Sequence, residues 1–276
     1  PPESLMALAR QQTGIDLIDD EAVEPLTILH RSISTQGGLH EAGAIAQQEK
    51  LLRLLRNRLR MKRDWAAHPE IAEQVIERPL FIIGLARSGT TKTQKTLAFT
   101  GDFNFLPFWK CFNPALLSGD RRESPQARID EAEIYCRWFD RLSPQTKTGH
   151  AFETHEPEED TTLTEQCLIA PSFIGYSELP DYMNWMAGKP PTILFEFLRD
   201  ALKYLQWQGL AQPGRKWLLK APTYYGLEEA ILSVFPDADF IMTHRTPLKT
   251  APSSCRLIEL FRIPFGHAPV NIPALL

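Results

Sequence analysis

Three separated segments of this chain hold residues whose types and spacing suit the binding of phosphate-like anions. The first is RPLFIIGLARSGTT, residues 78–91. A short apolar run over 80–83 reads as a buried strand that feeds a loop bounded by Gly84 and Gly89, and a helix is expected to follow. In that layout the backbone N–H groups of the first helical turn point at a bound anion, and the glycines let the backbone approach it. The spacing G-x-x-x-x-G is that of a P-loop, but a Walker A motif continues with Lys and then Ser or Thr. Here Thr90 and Thr91 follow, and the cation Arg87 lies inside the loop beside Ser88. Gly84, Arg87, Ser88, Gly89, Thr90 and Thr91 are therefore candidate ligands of a phosphorylated nucleotide, in a loop poorly suited to ordinary ATP hydrolysis. The alternative is a glycine turn that binds nothing.

The second segment is WLLKAP, residues 217–222. Lys220 is placed at the carboxyl end of a strand, where it can neutralise charge developing on a transferred group, or simply sit exposed in a loop. The third is FIMTHRTPLKTAPS, residues 240–253. Arg245 follows a strand, Thr246 and Pro247 suit the start of a helix, and Ser253 comes eight residues after Arg245. An arginine and a hydroxyl at such a junction suit a second phosphate; an ordinary capped helix with a surface arginine is the alternative. Two phosphate sites at one sheet edge point to a nucleotide phosphorylated on both its 5′ and 3′ sides.

The elements that must hold these residues can be read from periodicity. Residues 1–76 read as a helical N-terminal segment. It includes a long amphipathic helix over about 42–63, with Leu51, Leu52, Leu55 and Leu59 on one face and Arg53, Arg56, Arg60 and Arg63 on another, expected to be solvated. From 77 to 276 strands alternate with helices. Strands are expected over 80–83, 216–219 and 239–243, and helices over 89–99, 122–142, 158–170, 191–210, 224–234 and 247–261. Strands that each feed a helix imply an α/β three-layer sandwich with a parallel sheet, P-loop-like, whose ligands sit at the carboxyl ends of the strands. That rule brings the Gly84 loop, Lys220 and Arg245 to one rim. Residues 263–276 hold three prolines and show no clear element.

Bulk properties narrow the function. At 276 residues with 43% hydrophobic and 23% charged residues, the chain is of globular composition, and its net charge of −4 argues against a nucleic-acid partner. Cys111, Cys136, Cys167 and Cys255 are scattered without a C-x-x-C pair, which argues against a zinc site and fits a reducing compartment, although two distant disulfides remain compatible with the spacing. No apolar run reaches membrane-spanning length and the N-terminus lacks a signal-peptide layout, so a cytoplasmic location is expected. The first residue is not Met, which is compatible with residues upstream.

With these residues in place, the chain resembles the nucleotide-dependent sulfotransferases of the bacterial-type branch, which use 3′-phosphoadenosine 5′-phosphosulfate (PAPS). Their phosphosulfate loop G-x-x-R-S-G-T-T is matched by Gly84, Arg87, Ser88, Gly89, Thr90 and Thr91. Their L-K-S-P strand end is matched by Leu219, Lys220, Ala221 and Pro222, with Ala in place of Ser. Their Arg and Ser eight residues apart are matched by Arg245 and Ser253, and their V-F-P-D-A run by residues 234–238. N-terminal matches include Asn57-Arg58-Leu59-Arg60 and Pro69-Glu70-Ile71. The resemblance implies in-line attack of a hydroxyl or amine on sulfur, with adenosine 3′,5′-bisphosphate leaving. Arg87 and Lys220 would stabilise the sulfuryl and leaving oxygens, and Arg245 and Ser253 would bind the 3′-phosphate. No metal is needed in principle. The acceptor would be a small molecule or lipid, and the oligomeric state is left open.

The general base is less legible. Many relatives carry Trp-Glu where this chain has Trp109-Lys110, and a lysine is no base unless its pKa is strongly lowered. The segment HAFETHEPEED (150–160) offers His150, which similar sequences also carry, and Glu158 next; His155 and Glu159 are close by. Acids at a helix N-terminus are also an ordinary pattern. Lys92, Gln94 and Lys95 stand where many relatives are apolar. Phe105, Phe108, Trp109, Phe112, Phe173, Tyr176, Tyr182 and Trp185 could line an acceptor pocket or belong to the core. The family usually continues past its 3′-phosphate helix with a basic segment that this chain lacks, so the domain is expected to be incomplete at its C-terminus. Two other functions remain to be weighed: a non-catalytic adenine-nucleotide-binding module, and an ATP-dependent P-loop kinase.

Overall fold

The computed structural model describes residues 1–266. Three helices come first: α1 (Pro2–Thr13), α2 (Asp20–Gln36) and α3 (Glu41–Ala67). Gly14 ends α1 in a left-handed conformation, its N–H bonded to the Arg10 carbonyl. The 27 residues of α3 make it about 40 Å long at 1.5 Å per residue.

Of the arginines expected on a solvated face of α3, Arg53 is buried and Arg56, Arg60 and Arg63 are half-buried. Arg53 and Arg58 are buried. Arg53 donates to the Phe112 carbonyl, and Arg58 pairs with buried Asp19 at 2.6 Å and donates to the Gln166 carbonyl at 2.8 Å. Arg63 donates to Asp64 and to the Leu116 carbonyl. The helix is covered by protein on more than its leucine side, and guanidinium groups there saturate carbonyls and a carboxylate that water cannot reach.

The sheet follows. Strands β1 (Leu80–Ile83), β2 (Phe103–Phe105), β3 (Lys216–Lys220) and β4 (Asp239–Met242) lie in the order β2-β3-β1-β4, every neighbouring pair parallel. Phe81 pairs with Leu219 on one side and Phe240 on the other. Phe81, Ile82, Leu218 and Leu219 are fully buried, as inner parallel strands require. Helices connect the strands: α4 (Thr90–Ala98), α5 (Phe108–Phe112), α6 (Gln126–Leu142), the single turn α7 (Thr161–Thr164), α8 (Pro180–Ala187), α9 (Thr192–Trp207), α10 (Glu228–Val234) and α11 (Pro247–Arg262). One buried cluster joins Leu5, Leu26 and Leu55 of the N-terminal helices to Phe81, Leu202 and Leu219.

The structure differs from the sequence reading in two further places. β2 is a fourth strand, three residues long, positioned by the Asn104 side chain, which bonds the backbone of Gln212 and Arg215. The helix expected over 158–170 shrinks to one turn and a 3₁₀ segment, because Glu158 and Asp160 turn inward and Leu168 takes a φ of 62°. The proline-containing end of the chain lies mostly outside the described residues.

Candidate active site

β1 delivers the chain to Gly84 at the carboxyl edge of the sheet. Gly84 has a φ of 141°, and a Cβ there would lie 2.5 Å from the Thr243 carbonyl oxygen and 2.7 Å from its hydroxyl. The two strand exits are therefore pressed together: the Thr243 N–H donates to the Ile83 carbonyl at 3.0 Å, and the Thr243 and Ser88 hydroxyls are 2.7 Å apart. Gly89, with a φ of 104°, turns the loop into α4. Thr90 is buried, while Thr91 is exposed at the first turn. The result is a cradle of backbone N–H groups and hydroxyls at a helix N-terminus.

Arg87 also has a positive φ, 69°, and the Arg245–Ser253 segment converges on it. Its Nε donates to Ser253 Oγ at 3.0 Å and its Nη1 to the Gly149 carbonyl at 2.6 Å, while Arg245 Nη1 donates to the Arg87 carbonyl at 3.0 Å. Arg245 is exposed and Ser253 half-buried. The loop, the start of α11 and the turn before His150 are thus bolted together by one side chain and its own carbonyl.

Lys220 ends β3 with 1% of its surface exposed. Its backbone N–H donates to Asp160 Oδ1 at 2.7 Å, and the other oxygen of Asp160 accepts from the Tyr224 hydroxyl at 2.6 Å. Burial pushes the Asp160 carboxyl up, against those hydrogen bonds. The ammonium of Lys220 reaches Glu159 Oε1 at 2.5 Å and Thr91 Oγ1 at 3.2 Å, which places it directly beside the cradle.

His150 stands across from Lys220. Its Nε2 is 2.9 Å from Glu158 Oε1 and its Nδ1 is 3.9 Å from Glu159 Oε1. Its ring lies edge-on to Phe152 and Phe261, with centroids 5.0 and 5.6 Å away. Burial pulls the His150 pKa down, but the charge and hydrogen bond of Glu158, with Glu159 behind, outweigh it and leave the imidazole above its ordinary value. Glu158 is the mirror case. Burial raises its pKa, and His150 and Lys220 more than reverse that, so it stays ionised below the ordinary carboxylate value. Exposed His155 lies 3.9 Å from Glu133, away from this group.

Thr91, His150, Glu158 and Lys220 share the lining of one cleft of about 510 Å³, with Lys92, Lys95 and Thr96 of α4 and Phe99 just after it forming a wall. Among the described residues no group of three or more His, Cys, Asp or Glu side chains could hold a metal ion, and no helix is long and apolar enough to cross a membrane. The four cysteines are free and buried.

A profile of the sulfotransferase family matches residues 79–271, which span the cradle, Lys220 and the Arg245–Ser253 segment. The chain belongs to the sulfotransferase family. No curated protein matches it. Among solved structures it is similar to the sulfotransferase STF9 of Mycobacterium avium, with a TM-score of 0.80 and 26% identity over 96% of this chain and 68% of that one. It shares the fold of the sulfotransferase STF1 of Mycobacterium tuberculosis H37Rv, with a TM-score of 0.72 and 24% identity over 93% of this chain and 70% of that one.

Two readings of the sequence look different in this sulfotransferase. Lys110 is outside the cleft lining: its Nζ donates to the Leu210 carbonyl at 2.6 Å, and burial, with Arg128 near, pulls its pKa down to about 8. The aromatic residues considered for an acceptor pocket also lie outside that lining; Phe108, Trp109, Phe112, Phe173 and Tyr182 are buried core, and the aromatic side chain in the wall is Phe99. What sequence reasoning passed over is the division of labour within Glu158-Glu159-Asp160 and the Gly149 carbonyl under Arg87. The run of acids was the available signal for the first; nothing in the sequence marks the second.

Proposed function

We propose that this sulfotransferase takes a sulfuryl group from PAPS and delivers it to a hydroxyl or amine of a small-molecule or lipid acceptor. The observation that carries this reading is the shared cleft: a cationic strand end, the first turn of the cradle helix and a carboxylate-held imidazole face one another across it. The donor set suits a doubly phosphorylated nucleotide. Gly84 lets the loop close against Thr243, where a Cβ would clash, and Arg87, Lys220 and Arg245 are positive groups around it. Bound PAPS supplies a sulfuryl group on a phosphate leaving group.

The chain's own residues then position and balance charge. The cradle N–H groups, with Ser88 and Thr91, hold the 5′ side, and Arg245 and Ser253 hold the 3′-phosphate. Arg87, already bonded to Ser253, couples the two. Lys220 offsets negative charge on the departing side. In neutral His150 the proton stays on Nε2, facing Glu158, and Nδ1 is free to accept the acceptor's proton. The imidazolium that results is stabilised by the same carboxylate.

Calorimetric titration with adenosine 3′,5′-bisphosphate tests the donor. Arg245→Ala should weaken it by about tenfold to a hundredfold, the worth of roughly 1.5–3 kcal/mol for hydrogen bonds to a charged group, and leave adenosine 5′-phosphosulfate, without a 3′-phosphate, nearly unchanged. Equal affinity of wild type and variant for the bisphosphate overturns the 3′-phosphate assignment. Transfer of labelled sulfate from PAPS to a mixed acceptor pool tests the reaction, and a magnesium-dependent preference for ATP would sink it.

A further inference from the structure

We propose that the Glu159 carboxylate is a built-in stand-in for the sulfuryl group, holding Lys220 until the donor's own anion displaces it. The inference rests on the PAPS reading above and assigns a positioning role to a residue that reading does not use.

The geometry is specific to one atom. Glu159 Oε1 lies 2.5 Å from Lys220 Nζ and 3.9 Å from His150 Nδ1. Lys220 reaches the first turn of the cradle helix through Thr91, and Nδ1 is the nitrogen left free to take a proton. An in-line transfer carries the sulfuryl group through the space between the anion cradle and the base, and Glu159 Oε1, near both Lys220 Nζ and His150 Nδ1, borders that space. A sulfuryl oxygen and the Glu159 carboxylate would bring like charges to one ammonium, so donor binding at Lys220 favours withdrawal of Glu159.

The neighbouring acids cannot do this. Glu158 is 5% exposed and is fixed by His150 and by the Glu159 backbone N–H at 2.7 Å. Asp160 is fully buried and fixed by Tyr224 and the Lys220 backbone. Glu159 keeps 19% of its side chain exposed, and among the described residues its side chain's ion-pair partners are Lys220 and, more distantly, His150. It is the member of the run with the fewest hydrogen-bond partners to hold it against displacement.

The test is a comparison of affinities for PAPS and for adenosine 3′,5′-bisphosphate, whose 5′-phosphate carries no sulfuryl group. Glu159→Gln keeps the shape and removes the charge. It should tighten PAPS by roughly tenfold, the scale of one charge-assisted hydrogen bond, with a clearly smaller gain for the bisphosphate. In a Lys220→Met background the same substitution should change neither. Equal gains for both nucleotides, no gain for PAPS, or a gain that persists without Lys220 overturns the stand-in role. If the wild-type protein binds neither nucleotide, the donor reading itself falls, and the two failures are distinguishable.

Discussion

Replacing Gly84 by alanine tests whether the anion cradle depends on the close approach of two strand exits. The structure gives two separate costs. The first is conformational: a φ of 141° is a region that L side chains avoid, at about 1–3 kcal/mol. The second is steric: the new methyl would sit 2.5 Å from the Thr243 carbonyl oxygen, 2.7 Å from its hydroxyl and 3.0 Å from Ser88 Oγ. The first of these is backbone held by the Thr243–Ile83 hydrogen bond, so it cannot swing aside, and overpacking of this kind costs about 1–3 kcal/mol. Together the loss is about 2–6 kcal/mol, with loosened nucleotide binding because the Ser88–Thr243 contact must open. Gly89→Ala is the control: its φ of 104° carries the conformational cost, but nothing lies within 4 Å of the added Cβ. Urea denaturation of both variants, followed by tryptophan fluorescence, measures the difference. Gly84→Ala should be the less stable by about the steric share. If the two lose the same stability, the strand exits yield to the methyl and the pressed geometry is not what shapes the loop.

Two further outcomes follow from the charges. Glu158→Gln removes the carboxylate that lifts the His150 pKa, leaving burial, which lowers it; the base form then persists to lower pH, so the acidic limb of the kcat/KM profile should move down in pH, while kcat falls because the imidazolium loses its partner. An acidic limb that stays in place excludes His150 as the base. Arg58→Ala should cost about 3–5 kcal/mol in the same denaturation assay, because it strands Asp19, 2% exposed, with only Lys62 at 3.1 Å. Burial raises the Asp19 pKa, but Arg58 and Lys62 bring it below the ordinary 3.8. The pair's contribution is therefore complete above that value and lost as pH falls through the lower folded-state pKa. A wild type whose stability is flat across that acidic window contradicts the pairing.

The parts of this fold that sequence makes legible are those specified locally. Residues 80–83 are apolar throughout, end at a glycine and precede hydroxyl residues, so strand, loop and helix all follow from neighbours a few positions away. The same holds for Pro247 at the start of α11. β2 is not legible in this way. Three residues carry too little periodicity, and what fixes the strand is Asn104 bonding a backbone more than a hundred residues later. The arginines of α3 mislead for a related reason. Their spacing describes a polar stripe, but whether a stripe meets water or carbonyls is decided by Phe112, Leu116 and Gln166, which lie on other elements.

The site divides along the same line. The cradle and the Arg245–Ser253 spacing are written in short motifs, whereas Glu158-Glu159-Asp160 resembles any acidic helix start. Its meaning comes from distant partners: His150 takes the first acid, the Lys220 ammonium the second, and the Lys220 backbone with Tyr224 the third. Two of the three therefore act on one lysine from opposite ends. Asp160 fixes where the strand stops, and Glu159 fixes where its charge points. Moving either should displace the same ammonium, but through different atoms: Asp160→Ala releases the backbone and should weaken PAPS and the bisphosphate together as the strand end loosens, whereas Glu159→Gln acts on the charge alone and should separate them.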